Sequence, residues 1–320
     1  MSAQSLAAFH RLRQQPWIWS FVGATAVWLA TIVFTQGLGG GQIMTAALSF
    51  ASFTVIVGMG QMLVITTGPG NVDLSIPATI TLCGTVAMKV MDEQNAMILP
   101  GIAAALGAGF VVGSLNYGLI RFLRIPPIIA TLSMAFLVQS TAIAYNRGLR
   151  IKPPSLLDDF ATGRTWGVPW IALLTIGLAI VMGIVVSRSY YGRAVSAVGQ
   201  NMRAAWLASI PVERIRFSTY VLSALLSGVC GILLSGFSGG PALDMGAEYL
   251  LGSIAVVVIG GTSVAGGRAN VPGIWGAALF MFLLVTMLNT FGASAGIRLV
   301  MTGLIIIAVI TLAGGDKPQR

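Results

Sequence analysis

The chain has 320 residues, 56% of them hydrophobic and only 8% charged, and it carries a formal net charge of +9. A soluble domain holds about a quarter of its residues as Asp, Glu, Lys and Arg, so a surface this poor in charge must face lipid. The basic residues lie between apolar runs rather than on one patch interleaved with aromatics. That excludes a nucleic-acid binder and leaves membrane topology as the account of the charge.

Residues 1–16, "MSAQSLAAFHRLRQQP", read as a polar, basic N-terminal tail containing the lone histidine, His10. The run "WIWSFVGATAVWLATIVF" is longer than the core of a signal peptide and no clear cleavage box follows it, so it reads as an uncleaved first span. Apolar runs long enough to cross a bilayer then recur. They predict helices near 17–36, 43–67, 74–91, 97–122, 126–145, 168–187, 217–237, 248–261, 271–291 and 297–313. The expected fold is all-α: one polytopic membrane domain over 17–313, about ten transmembrane helices, with short tails at 1–16 and 314–320. The eighth run is short and has glycines at both ends, as in a broken or re-entrant segment.

With the N-terminus cytoplasmic, twelve of the 18 basic residues fall on the inner side, five of them between Arg188 and Arg216. This asymmetry makes the 188–216 loop cytoplasmic and brings both termini to the same side.

Along the chain, "GPGNVDLSIP" (68–77) places Asp73 where two apolar segments meet. A carboxylate at membrane depth faces a cavity or a partner unless it simply caps the next helix. Gly109 and Gly113 form a GxxxG pair, and Ser227 with Gly231 a small-xxx-small pair, both suited to close helix packing. Cys83 and Cys230 lie inside apolar runs and read as small core residues. In the basic loop, Asn201 can cap a short helix that Pro211 does not allow to continue. Ala204, Ala205 and Ala208 would then form a small-residue face with Arg203 and Trp206 elsewhere. Such a helix suits docking into a cleft on another protein, or rests on anionic lipid.

Gly236–Gly240 fits the G-x-S-x-G pattern, but an apolar helix precedes it and the only histidine is remote, so hydrolase chemistry is not expected. "GGPALDMGAEY" (239–249) repeats the Gly-Pro then Asp arrangement of 67–75, five spans later. An odd number of spans makes the two halves inverted relative to each other, a common transporter plan. Asp244 and Glu248 lie here, though Glu248 could simply favour a helix N-terminus. "GGTSVAGGRANVPG" (260–273) lacks the Gly-Lys-Ser/Thr of a P-loop and reads as a tight cytoplasmic turn.

Three motifs together resemble the permease subunits of ribose/xylose/arabinose-type sugar ABC importers. Gly192, Arg193, Gly199, Asn201, Ala204, Ala205 and Arg214 match the family's coupling loop. Glu248, Ile254, Ala255, Gly260, Gly261, Thr262, Ser263, Gly266 and Gly267 match a second signature, and Asp73, Leu74 and Ser75 a third. The sequence departs from the pattern at Pro69, Asn71 and Pro77. The family also shades into branched-chain amino-acid permeases.

The resemblance implies a bacterial inner-membrane subunit with no catalytic role and no cofactor. It also implies a second permease subunit, cytoplasmic ABC ATPases on the coupling loop, and a periplasmic binding protein that delivers a sugar or related polyol. Arg193, Gly199, Asn201, Ala204, Ala205, Ala208 and Arg214 are the candidate coupling residues. Asp73, Ser75, Asp244, Glu248, Thr262 and Ser263 are candidates for the pathway or its gate. The competing expectation is an ion-coupled secondary transporter in which Asp73, Asp244 and Glu248 bind the driving ion.

Overall fold

A computed structural model of the chain describes residues 16–37, 39–146 and 151–292, with scattered residues between 294 and 307. The apolar runs become the helices α1 (Pro16–Phe34), α2 (Gly40–Thr66), α3 (Ile76–Met91), α4 (Ile98–Phe122) and α5 (Pro127–Tyr145). A short helix α6 (Ser155–Thr162) and a two-stranded hairpin, β1 (Arg164–Thr165) and β2 (Val168–Pro169), precede α7 (Trp170–Arg188). Then come α8 (Tyr190–Gln200), α9 (Met202–Leu207), α10 (Val212–Phe237), α11 (Tyr249–Ile259) and α12 (Val271–Thr290).

Seven of these, α1, α2, α4, α5, α7, α10 and α12, are long and apolar enough to cross a membrane, among the described residues. The seven do not match the ten expected runs one for one. The third expected span is the 16-residue α3 and the eighth is the 11-residue α11. At 1.5 Å per residue these are about 24 and 16 Å long, short of a hydrocarbon core of about 30 Å. The tenth, 297–313, lies largely outside the described residues. The seventh starts earlier than expected, at Val212 directly after Pro211, so Arg214 and Arg216 belong to a helix and not to a loop.

The two longest and most buried helices, α2 and α10, pack against each other at the centre. Each carries the other's short helix: α3 packs on α10 and α11 on α2, while α4 joins α3 on α10 and α12 joins α11 on α2. Small residues make this closeness possible. Gly109 and Gly113 of α4 abut the backbone of Ala224 and Val221. A Cβ on Gly231 would overlap the Ile80 carbonyl, so α3 and α10 touch backbone to backbone. Leucines, isoleucines and phenylalanines such as Phe110, Phe136, Leu173 and Ile180 cover the outside of α4, α5 and α7.

Both short helices begin deep in the molecule because the chain before each one folds back. After α2 the 67–75 segment returns along it until the Asp73 amide donates to Gln61 Oε1 at 3.2 Å. After α10 the 238–248 segment also returns, and Gly246 lies directly on the Pro77 carbonyl. Ile80, one turn further along α3, faces Gly231, so Gly246 sits beside the second half of α10. Two unwound segments thus enter from opposite faces and end within a few turns of each other.

Candidate functional site

On the face where α7 ends, the basic segment is built from two helices. The Ser189 hydroxyl caps α8 by accepting from the Gly192 amide at 3.1 Å. Ala194, Val195 and Val198 of α8 then pack on Ala205, Val212 and Ile215. Gly199 closes this small core against its neighbours. A Cβ there would overlap the Thr66 carbonyl at the end of α2 and the Gly267 amide. Gly267 itself donates to that Thr66 carbonyl at 2.9 Å. The end of α2, α8 and the 260–270 turn therefore meet at one glycine. Gly199→Val is expected to cost about 1–3 kcal/mol by overpacking. The check is a lower thermal midpoint together with faster trypsin cleavage within 188–216.

Asn201 caps α9 as expected, its Oδ1 accepting from the Ala204 amide at 2.9 Å. The helix ends in a Schellman turn: Ile210 N donates to Ala205 O at 3.0 Å, Ser209 N to Trp206 O at 3.0 Å, and Ser209 takes φ +61°. The expected face of small residues is divided. Ala205 is buried, whereas Ala204 and Ala208 are exposed beside Met202, Arg203, Trp206 and Leu207. Trp206 and Leu207 are 68% and 69% exposed, so this tightly held helix turns two large apolar side chains outward. Beside it lies a groove of about 840 Å³ lined by Arg121, Arg203, Trp206, Glu213 and Arg214. Arg193 stands exposed on α8, with its guanidinium donating to the Arg188 carbonyl at 2.9 Å.

The wall of the groove leads inward. Glu213 accepts from the Tyr117 hydroxyl and from Arg121 Nε, both at 2.6 Å, which ties the start of α10 to the end of α4. Arg216 and Tyr220 both donate to Asn71 Oδ1, at 3.3 and 3.4 Å. Ser223 donates to Asp73 Oδ2 at 2.7 Å. Residues 213, 216, 220 and 223 recur at three- and four-residue spacing, which puts them on one face of α10. That face is a polar stripe from the groove to the 67–75 segment.

Asp73 is fully enclosed. Its Oδ1 accepts from the Ser75 amide at 3.0 Å and the Ser75 hydroxyl at 2.6 Å. Asn116 of α4 donates to Ser75 Oγ at 2.7 Å, and Thr131 of α5 accepts from the Leu74 amide at 3.1 Å. The carboxylate ties Ser223 of α10 to Ser75, and so to Asn116 of α4, while the backbone amides of Asp73 and Leu74 reach α2 and α5; it is not a cap of α3, whose N-terminus has no side-chain cap. Gln61 Nε2 and Asn116 Oδ1 in the same cluster are buried with no hydrogen-bond partner among the described residues. Each unpaired buried group carries a desolvation cost.

Asp73 and Ser75 are therefore in contact, but the other pathway candidates lie elsewhere. Asp244 and Glu248 occupy the second unwound segment, both exposed although the neighbouring Gly246 is buried. Thr262 and Ser263 belong to the 260–270 turn: Thr262 Oγ1 accepts from the Asn270 amide at 3.2 Å, and the Ser263 amide donates to Arg268 O at 3.0 Å. They adjoin the Gly199 junction rather than the Asp73 node. Sequence reasoning passed over Gln61, Asn71, Asn116, Glu213, Arg216 and Ser223. Two of them carried a readable signal: Gln61 and Asn116 are amides inside apolar runs, where an unpaired polar group is costly.

Comparison with known proteins assigns this architecture. The family model described as branched-chain amino acid transport system / permease component matches residues 43–310. The chain is 31% identical over 279 residues to the ribose import permease protein of Escherichia coli (strain K12), covering 82% of this chain and 83% of that protein. It is 29% identical over 250 residues to the autoinducer 2 import system permease protein of Photorhabdus laumondii, covering 75% and 74%. The protein of that name from Photorhabdus luminescens is 26% identical over 304 residues, 91% of this chain and 90% of its own. No solved structure gives a significant match. A family match over most of the chain, with relatives aligned along most of their own length, means that this protein belongs to the permease-component family and is a permease of the sugar ABC-importer type.

Proposed function

We propose that the chain is the membrane subunit of an importer for a sugar or related polyol, driven by separate cytoplasmic ATPases and supplied by a periplasmic binding protein. The observation that carries this reading is α9: a short, doubly capped helix, buried at Ala205, whose Trp206 and Leu207 face outward beside a basic groove. An ATPase gripping 201–209 would push on the start of α10. Arg193, Asn201, Ala204, Ala208 and Arg214 would contribute to that surface, while Gly199 and Ala205 hold its shape.

In this reading residues 17–313 are one permease domain of about ten membrane helices, with α3 and α11 as partial crossings and 297–313 as the last. The tails 1–16 and 314–320 and the 188–216 segment are cytoplasmic, in a bacterial inner membrane. The reciprocal packing of α3 on α10 and α11 on α2 supports an inverted repeat whose unwound segments meet near the midplane. A second permease subunit would complete the pathway. Asp244 and Glu248 would face it and accept hydrogen bonds from cargo hydroxyls. Asp73 and Ser75 would set the state of the gate through the polar stripe on α10, with Thr262 and Ser263 in the turn beside it. The chain performs no chemistry and takes no cofactor; its two states are biased by partners on each face. The naming of one relative for ribose makes that sugar the first cargo to try.

The test is reconstitution. The purified chain alone is expected neither to hydrolyse ATP nor to accumulate ribose, other pentoses or polyols in vesicles. With its ATPase and binding protein, it is expected to concentrate one of them. Accumulation by the lone subunit under a proton or sodium gradient would favour the ion-coupled reading instead.

A further inference from the structure

The hairpin at 164–169 holds a side chain that nothing else in the fold explains. The register pairs Arg164 with Pro169 and Thr165 with Val168, leaving Trp166–Gly167 as a two-residue turn. Both turn residues have positive φ, +51° and +81°, a geometry that Asn-Gly adopts readily and a bulky residue rarely does. Trp166 is nevertheless 99% exposed, so it gains no packing in return.

The turn is held firmly. Trp170 Nε1 donates to Thr165 Oγ1 at 2.7 Å, the Trp170 amide donates to Gly163 O at 3.0 Å, and Thr45 Oγ1 donates to the Gly167 carbonyl at 2.9 Å. These contacts also fix the depth of the turn. The 19 residues of α7 span about 28 Å, close to the hydrocarbon thickness, so Trp170 at its start marks a membrane boundary. The 27 residues of α2 span about 40 Å and overshoot that thickness by about 5 Å at each end. Thr45 lies about 7–8 Å inside the first residue of α2, at nearly the same level. With α2 centred on the bilayer, the hairpin would lie beside the bundle at headgroup depth. Below it, the exposed Trp170, Leu173, Leu174 and Ile180 continue the apolar surface along α7.

We propose that this hairpin is an interfacial anchor: Trp166 lies in the phospholipid headgroup layer on the face opposite α8–α9, with the exposed Arg164 beside it at phosphate level. An indole has an apolar body and one N–H donor, which suits that layer better than water or hydrocarbon. The inference requires only that α7 faces lipid, and it holds whatever drives transport.

The test uses the full chain in vesicles of phosphatidylethanolamine and phosphatidylglycerol. The emission of Trp166 is obtained as wild type minus Trp166→Phe, with part of the lipid replaced by one brominated near its carbonyl end. The expected result is about a twofold loss of that difference signal in brominated lipid, with aqueous iodide the weaker quencher. Trp166→Cys carrying a polarity-sensitive dye repeats the measurement without altering a packed contact, and the burial of Cys83 and Cys230 directs the dye to the new thiol. Strong iodide quenching with no effect of brominated lipid would overturn the anchor and leave Trp166 as a contact for a soluble partner. Protection from both quenchers would overturn it in favour of a second protein subunit.

Discussion

Asp73→Leu is expected to destabilise the protein by about 3–5 kcal/mol, because it leaves buried donors without their acceptor. The groups stranded are the Ser75 amide and hydroxyl and the Ser223 hydroxyl, at 3.0, 2.6 and 2.7 Å from the carboxylate. Ser75 is also the acceptor for Asn116, so the loss spreads to α4. Asp73→Asn can keep its carbonyl oxygen on the Ser75 amide and hydroxyl, and the Ser223 hydroxyl can rotate to accept from its amide, so its cost is expected near 1–2 kcal/mol. Thermal unfolding of the purified chain followed by size exclusion distinguishes the two. Equal midpoints for Asp73→Leu and wild type would show that the node carries no stability. If the node instead serves mainly as a gate, Asp73→Asn keeps its fold and loses uptake in the complete importer.

The second large effect concerns the outward face of α9. Trp206→Ala is expected to weaken capture of the ATPase by about 2–4 kcal/mol, or roughly 30- to 1000-fold, as for a central aromatic anchor of an interface. Its own thermal midpoint should stay where it was, since a side chain 68% exposed supports little of the fold. Leu207→Ser should act in the same direction with a smaller loss. Ala205→Glu makes the opposite control: Ala205 is buried against Val195 and Val198, so a charge there disrupts the small core of α8 and α9 before it meets any partner. Undiminished capture by a well-folded Trp206→Ala protein would move the docking surface elsewhere. The groove residues Arg203 and Arg214 are then the next to change.

The two experiments probe opposite ends of one connection. Glu213, Arg216, Tyr220 and Ser223 share a face of α10, and their partners run from Arg121 at the groove to Asp73 inside. A rigid helix moved at its exposed end must carry this stripe with it. Arg216, Tyr220 and Ser223 tie the 67–75 segment to α10, so it either follows the helix or is released.

Much of this was legible in the chain itself. The apolar runs marked where the long helices lie, the excess of arginines between 188 and 216 singled out the basic segment, and Asn201 and Pro211 bounded its short helix. Hydropathy, capping and turn chemistry are local properties, and they act on residues within one or two turns of each other. The shortness of α11 was legible in the glycines at both ends of its run, whereas α3 read as a span like its neighbours, because hydropathy alone does not show that the chain before Ile76 stays unwound. Nor could a pattern of small residues tell that Ala205 faces inward while Ala204 and Ala208 face out. Above all, the node at Asp73 depends on partners far away in sequence: Arg216 is 145 positions from Asn71, and Ser223 is 150 from Asp73. Composition and periodicity made this a membrane bundle with a protruding basic segment. Only the packing of α10 against the 67–75 segment decided which polar side chains meet, because a buried carboxylate takes whichever donors the tertiary fold brings within reach.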